Sequence, residues 1–259
     1  RDEAAQKFKI ILKDNLGPAV AEINSVLQFR KINDDLRNVE RPDLTRHLAD
    51  DVSTEVVDTM LNSVVSRYDQ AHKYYEIKAK MMKVPKLEYH ERNVEIGELE
   101  KKFTFEESVN LVSKVFKNLD PLFLDIFKTY LKNGQVDAFP KKDKMPGAFC
   151  THPEIGDLVY VLLNHDNKLN DVTTIAHEFG HAINHRLVNQ NQDALNNGVP
   201  LSIAEVASTF MEDFVIQELL KECNEKEKSI LLMNKLNSDI SSIHRQVACY
   251  KFEQELHQK

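Results

Sequence analysis

The amino-acid sequence predicts a mainly helical protein with one small β-sheet near the middle of the chain. In the first half, apolar residues recur at the spacing of an amphipathic helix, as they do between Val56 and Tyr68. Residues 135–164 instead show alternation, prolines and a short apolar run, a texture typical of two or three short strands and turns. Helical patterns then return at 171–188, 202–220 and 225–259.

Several of the predicted helices have recognisable start signals. Ser53 is placed to cap the helix that contains Val56, and Thr104 with Glu107 has the spacing of a capping box. Asp120 is followed by a proline, the usual order of an N-cap and a first-turn proline, and residues 133–134, Asn-Gly, end that helix.

We expect one continuous domain made of two parts. Residues 1–133 would form a helical part, and residues 134–259 would contain the small sheet and the remaining helices. Within this second part, an Asn-rich, turn-rich segment at 189–198 connects two of the helices. The sequence starts at Arg1 and stops within a helical pattern, and we interpret both ends as cuts, which makes the chain a fragment.

Composition excludes several classes of protein. The formal net charge of −7 does not favour binding to nucleic acid, and we find neither an apolar run long enough for a membrane span nor a signal peptide. The three cysteines are scattered, which fits reduced thiols in the cytoplasm. Cys150 and His152 lack a third group to orient them, so we do not expect a cysteine nucleophile.

An H-E-x-x-H pentapeptide within a helical pattern is the strongest chemical signal. His177 and His181 lie one helical turn apart on the same face, so both imidazoles can bind one Zn²⁺. Glu178 projects from a different side of the helix than the two histidines. It can therefore hold a metal-bound water molecule and act as a general base. Gly180 is costly inside a helix and predicts close packing of a second backbone, for which 204–208 offers small residues.

A zinc site of this kind needs a third protein ligand. Glu205 is the first glutamate after the pentapeptide, and Glu212 follows seven positions later on the same helical face. An alternative is open for Glu205, because Ser202 with Glu205 also has the spacing of a capping box.

Three groups of residues resemble oligoendopeptidase F and the wider thimet-oligopeptidase family of zinc peptidases. They are residues 176–182 around the pentapeptide, 204–209 together with Glu212, and Gly147-Ala148-Phe149; residues 245–253 add weaker similarity. The resemblance implies a zincin-like, mostly helical fold around a deep channel, with the small sheet at the active-site cleft.

The resemblance also implies the roles of individual residues. His177, His181 and Glu205 would bind one zinc ion per chain, Glu178 would be the general base, and Glu212 would orient a ligand histidine. Gly147, Ala148 and Phe149 would form an edge strand that pairs with the substrate backbone, with an internal strand as the alternative.

The chain departs from the family pattern in two places. Family members often have a histidine where this chain has Asn184, and His185 is displaced by one position. They also place a histidine and tyrosines, donors to the tetrahedral intermediate, on a segment beyond the residues of this chain. The other histidines, among them His152, His165 and His185, have no ligand spacing, and we place them at the surface or behind the ligands.

These observations predict a zinc metalloendopeptidase that acts on short peptides in the cytoplasm. The alternative from another class is a non-catalytic helical fragment that binds a peptide or a partner chain. Because donors to the intermediate would lie elsewhere, we expect residues 1–259 alone to bind zinc but to cleave peptides poorly. Carboxypeptidase action is a second enzymatic alternative.

Overall fold

The structure, a computed structural model, describes residues 1–97, 101–152 and 158–258. It is mainly helical with one small sheet, as the sequence predicted. In chain order the elements are α1 (Asp2–Asp14), α2 (Leu16–Leu36), α3 (Leu44–Ala49), α4 (Thr54–Val65), α5 (Tyr68–Met81), α6 (Phe105–Leu119), α7 (Pro121–Lys132), β1 (Val136–Asp137), β2 (Phe149–Thr151), β3 (Tyr160–Leu162), α8 (Leu169–Asn191), α9 (Leu201–Ala204), α10 (Val206–Glu222), α11 (Glu225–Ile240) and α12 (Gln246–Gln258).

The predicted helix starts are confirmed. Ser53 accepts a hydrogen bond from the backbone N–H of Val56 at the start of α4, and Thr104 and Glu107 form a reciprocal capping box at the start of α6. The carboxylate of Asp120 caps α7, which ends just before a glycine in the left-handed region with φ of 69°. Local side-chain chemistry therefore determines where these three helices begin.

Other helix boundaries differ from the predicted ones. α8 continues through Asn191, into the segment predicted as a loop, and α9 is a separate short helix before α10. The predicted helix 225–259 is divided, because Ser241–Arg245 forms a π-helical turn between α11 and α12. A π turn changes the helical register without any glycine or proline, so the sequence carries no local signal for it.

The small sheet has the strand order β1-β3-β2. β1 is parallel to β3, and β2 is antiparallel to β3 with Phe149 opposite Leu162. β2 is therefore an edge strand among the described residues. The strand predicted at 147–149 is displaced, because only Phe149 belongs to β2 and Gly147 has a φ of 83°.

The chain divides into two compact units. Unit 1 comprises 1–97 and 232–259, and unit 2 comprises 98–231. Both limits differ from the boundary at residue 133 that the sequence suggested, because α6 and α7 pack in unit 2 with α8. In the described part of the chain no helix is both long and apolar enough to cross a bilayer.

The core of unit 2 surrounds the helix that carries the H-E-x-x-H motif. Phe179, within the motif, is fully buried, and its ring meets that of Phe127 on α7 edge to face, with 4.4 Å between centroids. Phe127 packs in turn on Phe116 of α6, with 5.3 Å between centroids. This aromatic packing holds α8 against α6 and α7. The two histidines of the motif lie on another face of α8.

Unit 1 contains a hydrogen-bonded group centred on Asp43, the N-cap residue of α3. Its carboxylate pairs with Arg41, which also pairs with Asp58 of α4. The same carboxylate accepts hydrogen bonds from Tyr250 and Gln254 of α12, at 2.7 and 2.9 Å. We call these five residues the Asp43 network, and they join segments of unit 1 that are far apart in sequence.

Candidate metal centre

His177 and His181 project from the same face of α8, with 5.1 Å between their ring centroids. Each Nε2 atom approaches the same oxygen, Oε2 of Glu205, at 3.3 Å from His177 and 3.4 Å from His181. The donor atoms of these three residues all lie within 4.8 Å of one another. The structure thus brings together the three residues that the resemblance implied as ligands.

Glu205 lies at the junction between α9 and α10, where its backbone is the C-cap of the first helix and the N-cap of the second. The capping-box alternative for this residue is wrong. Ser202 is inside α9, whose N-cap is Pro200, and the carboxylate of Glu205 turns toward the histidines instead.

The imidazoles are oriented by hydrogen bonds on their far sides. Nδ1 of His177 lies 3.2 Å from Oε2 of Glu212 on α10. An N–H at Nδ1 that donates to this carboxylate leaves the Nε2 lone pair directed at the site, and the bond raises the pKa of His177 although burial opposes it. Burial lowers the pKa of His181, opposed by Glu205 and a hydrogen bond to the backbone of Ala204.

The geometry of the three donors fits a zinc ion. Two ligand atoms that are each about 2.05 Å from one ion, at a tetrahedral angle, are about 3.3 Å apart. The two separations from Glu205 to the histidine nitrogens, 3.3 and 3.4 Å, agree with that value. Two imidazoles and one carboxylate are also a donor set of catalytic zinc sites, which keep a fourth position open.

Glu178 is buried, with 7% of its surface exposed, and lies next to the donors without joining them. Burial raises the pKa of its carboxyl, and the nearby carboxylate of Glu205 acts in the same direction. His177 and a hydrogen bond from the backbone N–H of Cys150 oppose the shift. Cys150 belongs to β2, so the edge of the sheet holds the carboxylate that the sequence selected as general base.

The backbone pattern of the sheet identifies which groups of β2 face outward. The N–H of Val161 donates to Gln135 on the β1 side, so by alternation Leu162 and its partner Phe149 direct their backbone groups at each other. The carbonyl of Gly147 accepts a hydrogen bond of 2.7 Å from Asn164. Within β2 it is therefore Cys150 whose backbone groups face outward, whereas Gly147 and Ala148, which were predicted to bind substrate backbone, precede the strand.

The thiol of Cys150 is not suited to act as a nucleophile. Burial raises its pKa to about 12, and the nearby carboxylate of Glu178 contributes to the shift. The thiolate is the reactive form of cysteine, so this shift disfavours reaction of the thiol at neutral pH.

A cavity of about 500 Å³ lies beside His181. Cys150 and His152 line it from the strand, and Asn184 and His185 line it from α8. His152 and His185 stack with 3.4 Å between ring centroids. Sequence spacing alone could not find this pair, because it forms between a strand and a helix.

The contact between Ser208 of α10 and Glu205 was not predicted from the sequence. Its hydroxyl lies 2.7 Å from Oε2 of Glu205. The signal was available, since a residue three positions after a helix-terminal glutamate can reach its side chain. The close packing predicted for Gly180 is confirmed, because a Cβ atom there would lie 2.5 Å from Cα of Ser208.

Comparison with known proteins agrees with this fold. Residues 19–259 match the profile of Peptidase family M3. The chain is 27% identical over 208 residues to chromosomal oligoendopeptidase F of Lactococcus lactis subsp. cremoris, and 26% identical over 210 residues to oligopeptidase PepF of Bacillus subtilis (strain 168); each match covers 80% of this chain. A solved structure from Chlamydophila abortus superposes with a TM-score of 0.78 and 26% identity, covering 90% of this chain and 39% of that one.

The chain therefore belongs to Peptidase family M3. The resemblance to oligoendopeptidase F is confirmed by these relatives. The chain spans about one third of the length of the curated relatives it matches, 34% of the Lactococcus protein and 31% of the Bacillus protein.

Proposed function

We propose that this chain carries the metal-binding part of a zinc endopeptidase that hydrolyses short peptides. The observation that carries the proposal is the convergence of His177, His181 and Glu205, whose donor atoms lie within 4.8 Å of one another. Membership of Peptidase family M3 supports peptide hydrolysis as the class of reaction.

His177, His181 and Glu205 would hold one zinc ion, with Glu212 fixing the ring of His177 from behind. The chemistry that zinc supplies in such a site is polarisation of the scissile carbonyl and acidification of a water molecule. All of these side chains come from α8 and α10 or the residue just before α10, so the packing of these helices preorganises the site.

Glu178 would act as the general base. Its carboxylate lies next to the donors but remains outside the ligand set, so it is available to take a proton from the attacking water. It would then deliver that proton to the leaving amine. The hydrogen bond from the Cys150 N–H fixes the carboxylate without using its full accepting capacity.

The outer edge of β2 would bind the peptide backbone. An extended peptide that adds to a sheet edge gains main-chain hydrogen bonds that do not depend on its sequence. The backbone groups of Phe149 pair with β3, so a peptide would bind to those of Ala148, just before the strand, and to the carbonyl of Cys150. A peptide bound there would lie beside Glu178, whose carboxylate accepts the hydrogen bond from the N–H of Cys150.

The cytoplasm is the proposed location. Cys150, Cys223 and Cys249 are all free thiols, which fits a reducing compartment. A non-catalytic protein that binds peptides is the alternative, and carboxypeptidase action is another. A peptide blocked at both ends distinguishes them, because only an endopeptidase cleaves it.

The first test replaces the proposed base. Glu178→Gln should retain zinc and fold but lose at least about a hundredfold in kcat, because an amide cannot accept the proton. Turnover of a blocked fluorogenic peptide, assayed in the natural full-length protein because residues 1–259 alone are expected to cleave poorly, and zinc content after dialysis measure the two properties. Glu218→Gln is a matched control, since Glu218 is equally buried but pairs with Lys114 and Lys221.

Three results would contradict the proposal. Near-normal kcat in Glu178→Gln would exclude this residue as the base. Normal zinc content in the double variant His177→Ala/His181→Ala would show that zinc binds at residues other than these histidines. Cleavage only of peptides with a free carboxyl end would favour the carboxypeptidase alternative.

A further inference from the structure

The third proposed ligand is held in place less firmly by its own backbone than the two histidines are. His177 and His181 lie inside the long helix α8, whereas Glu205 is at the junction of two helices and 60% of its side chain is exposed. An exposed glutamate side chain must be ordered before it can bind a metal, and that ordering reduces affinity. A neighbouring group that fixes the carboxylate of Glu205 would therefore increase the affinity for the metal.

Ser208 is such a group. Its Oγ lies 2.7 Å from Oε2 of Glu205, the oxygen that faces both imidazoles, and 3.0 Å from the backbone carbonyl of the same residue. The hydroxyl has one proton, and the charged oxygen is both the nearer and the stronger acceptor. A second lone pair on Oε2 stays available for a metal.

Ser208 is itself immobilised. It is fully buried, and its Cα atom packs against Gly180 at the point where α8 and α10 cross. Gly180 precedes the ligand His181 by one residue. The position of the hydroxyl is thus determined by the same backbone contact that places the histidine-bearing helix.

We propose that Ser208 is a positioning residue that fixes the carboxylate of Glu205 for metal binding. The inference rests on the proposed function, because it assumes that Glu205 is a metal ligand. Through Ser208, the helix crossing sets the distance between the third ligand and the two histidines.

Thr209 offers a matched comparison. Its hydroxyl also bonds to Glu205, but at the backbone carbonyl, 2.7 Å away. Bonds of this kind from a hydroxyl to the preceding turn are common in helices and need no functional reason. Comparing alanine variants of Ser208 and Thr209 therefore distinguishes loss of the bond to the Glu205 carboxylate from loss of a bond to the helix backbone.

The test measures zinc affinity by competition with a chromophoric chelator in the wild-type protein, Ser208→Ala and Thr209→Ala. We expect Ser208→Ala to raise the Kd for zinc roughly 10- to 100-fold, as loss of a group behind a metal ligand does. Thr209→Ala should change it less than about threefold. Unfolding temperatures of the metal-free proteins, from circular dichroism, show that both variants fold.

A second background distinguishes positioning from general damage. In Glu205→Ala, adding Ser208→Ala should cause no further loss of zinc affinity, because the carboxylate it acts on is gone. An equal loss in both backgrounds, or an unchanged Kd in Ser208→Ala, overturns the role of Ser208 while leaving the zinc site intact. Failure of the wild-type protein to bind zinc overturns the proposed function and this inference together.

Discussion

Gly180 shows at the scale of one residue how the fold makes room for the site. A Cβ atom at this position would lie 2.5 Å from Cα of Ser208 and 2.7 Å from the carbonyl oxygen of Ala207. Both are backbone atoms, which cannot swing aside as a side chain can. The missing side chain lets α8 and α10 approach closely enough for residues of both helices to share one metal.

Gly180→Ala should therefore destabilise the protein by roughly 2 kcal/mol or more, since overpacking costs more than the gain in helix propensity of about 1 kcal/mol. It should also weaken zinc binding, because the helix crossing that places Ser208 and Glu205 is displaced. Chemical denaturation of the metal-free protein measures the first effect, and chelator competition measures the second.

Gly17 in α2 supplies the control, because nothing lies within 4 Å of a Cβ atom placed there. Gly17→Ala should be neutral or stabilising by up to about 1 kcal/mol. If Gly180→Ala behaved in the same way, the close approach of the two helices would be wrong.

At the scale of elements, the Asp43 network joins α12 to α3 and α4 within unit 1. Burial alone would raise the pKa of Asp43, but hydrogen bonds from Arg41, Tyr250 and Gln254 hold it well below its usual range. A carboxyl group whose pKa is lower in the folded state stabilises the fold above its unfolded pKa, near 3.9. That stabilisation is lost as the pH falls from there toward the folded pKa.

Asp43→Asn should consequently destabilise the protein at pH 7, by about 2 kcal/mol, because a charge-assisted network loses its centre. The difference from wild type should shrink below about pH 4, because the unfolded wild-type chain takes up a proton at Asp43 there while the folded protein, with its lowered pKa, does not. Thermal unfolding from pH 7 to pH 2.5 tests this. Asp35→Asn, at an exposed position of α2, is the control, and a pH-independent difference for Asp43→Asn would contradict the argument.

Helix starts could be predicted because their causes are local. The caps at Ser53, Thr104 and Asp120 depend on residues within three positions. The end of α8 was missed because asparagines disfavour helices only weakly, and the side chain of Asn191 bonds back to the carbonyl of Leu187 in the last turn. The π turn after Ile240 likewise depends on packing, which no short sequence pattern encodes.

At the scale of the whole molecule, every proposed ligand belongs to one unit. His177, His181 and Glu205 all lie within 98–231, as does Glu212, which orients His177. The sequence could predict the histidines from their spacing on one helix, but the choice of Glu205 rested on resemblance. The hydroxyl of Ser208, the Cys150 N–H and the stacked pair of His152 and His185 depend on which helices and strands meet, and spacing does not specify that.

Because all proposed ligands lie in unit 2, we expect zinc to stabilise some helices more than others. A ligand that binds only the folded state stabilises it by about 4 kcal/mol at a concentration a thousand times its Kd. Because the donors come from α8 and the start of α10, zinc should slow amide hydrogen exchange most in those helices. Exchange in α4 and α5 of unit 1 should change little, since no proposed ligand lies there.

Peptide-resolved exchange with and without zinc, measured by mass spectrometry, tests this pattern. The double variant His177→Ala/His181→Ala is the control and should show no zinc-dependent protection in α8 or α10. Equal protection of α4 and α8 in the wild-type protein would mean that zinc acts on the chain as a whole. Protection that is confined to unit 1 would place the metal at different residues, and the convergence of His177, His181 and Glu205 would then have no bearing on metal binding.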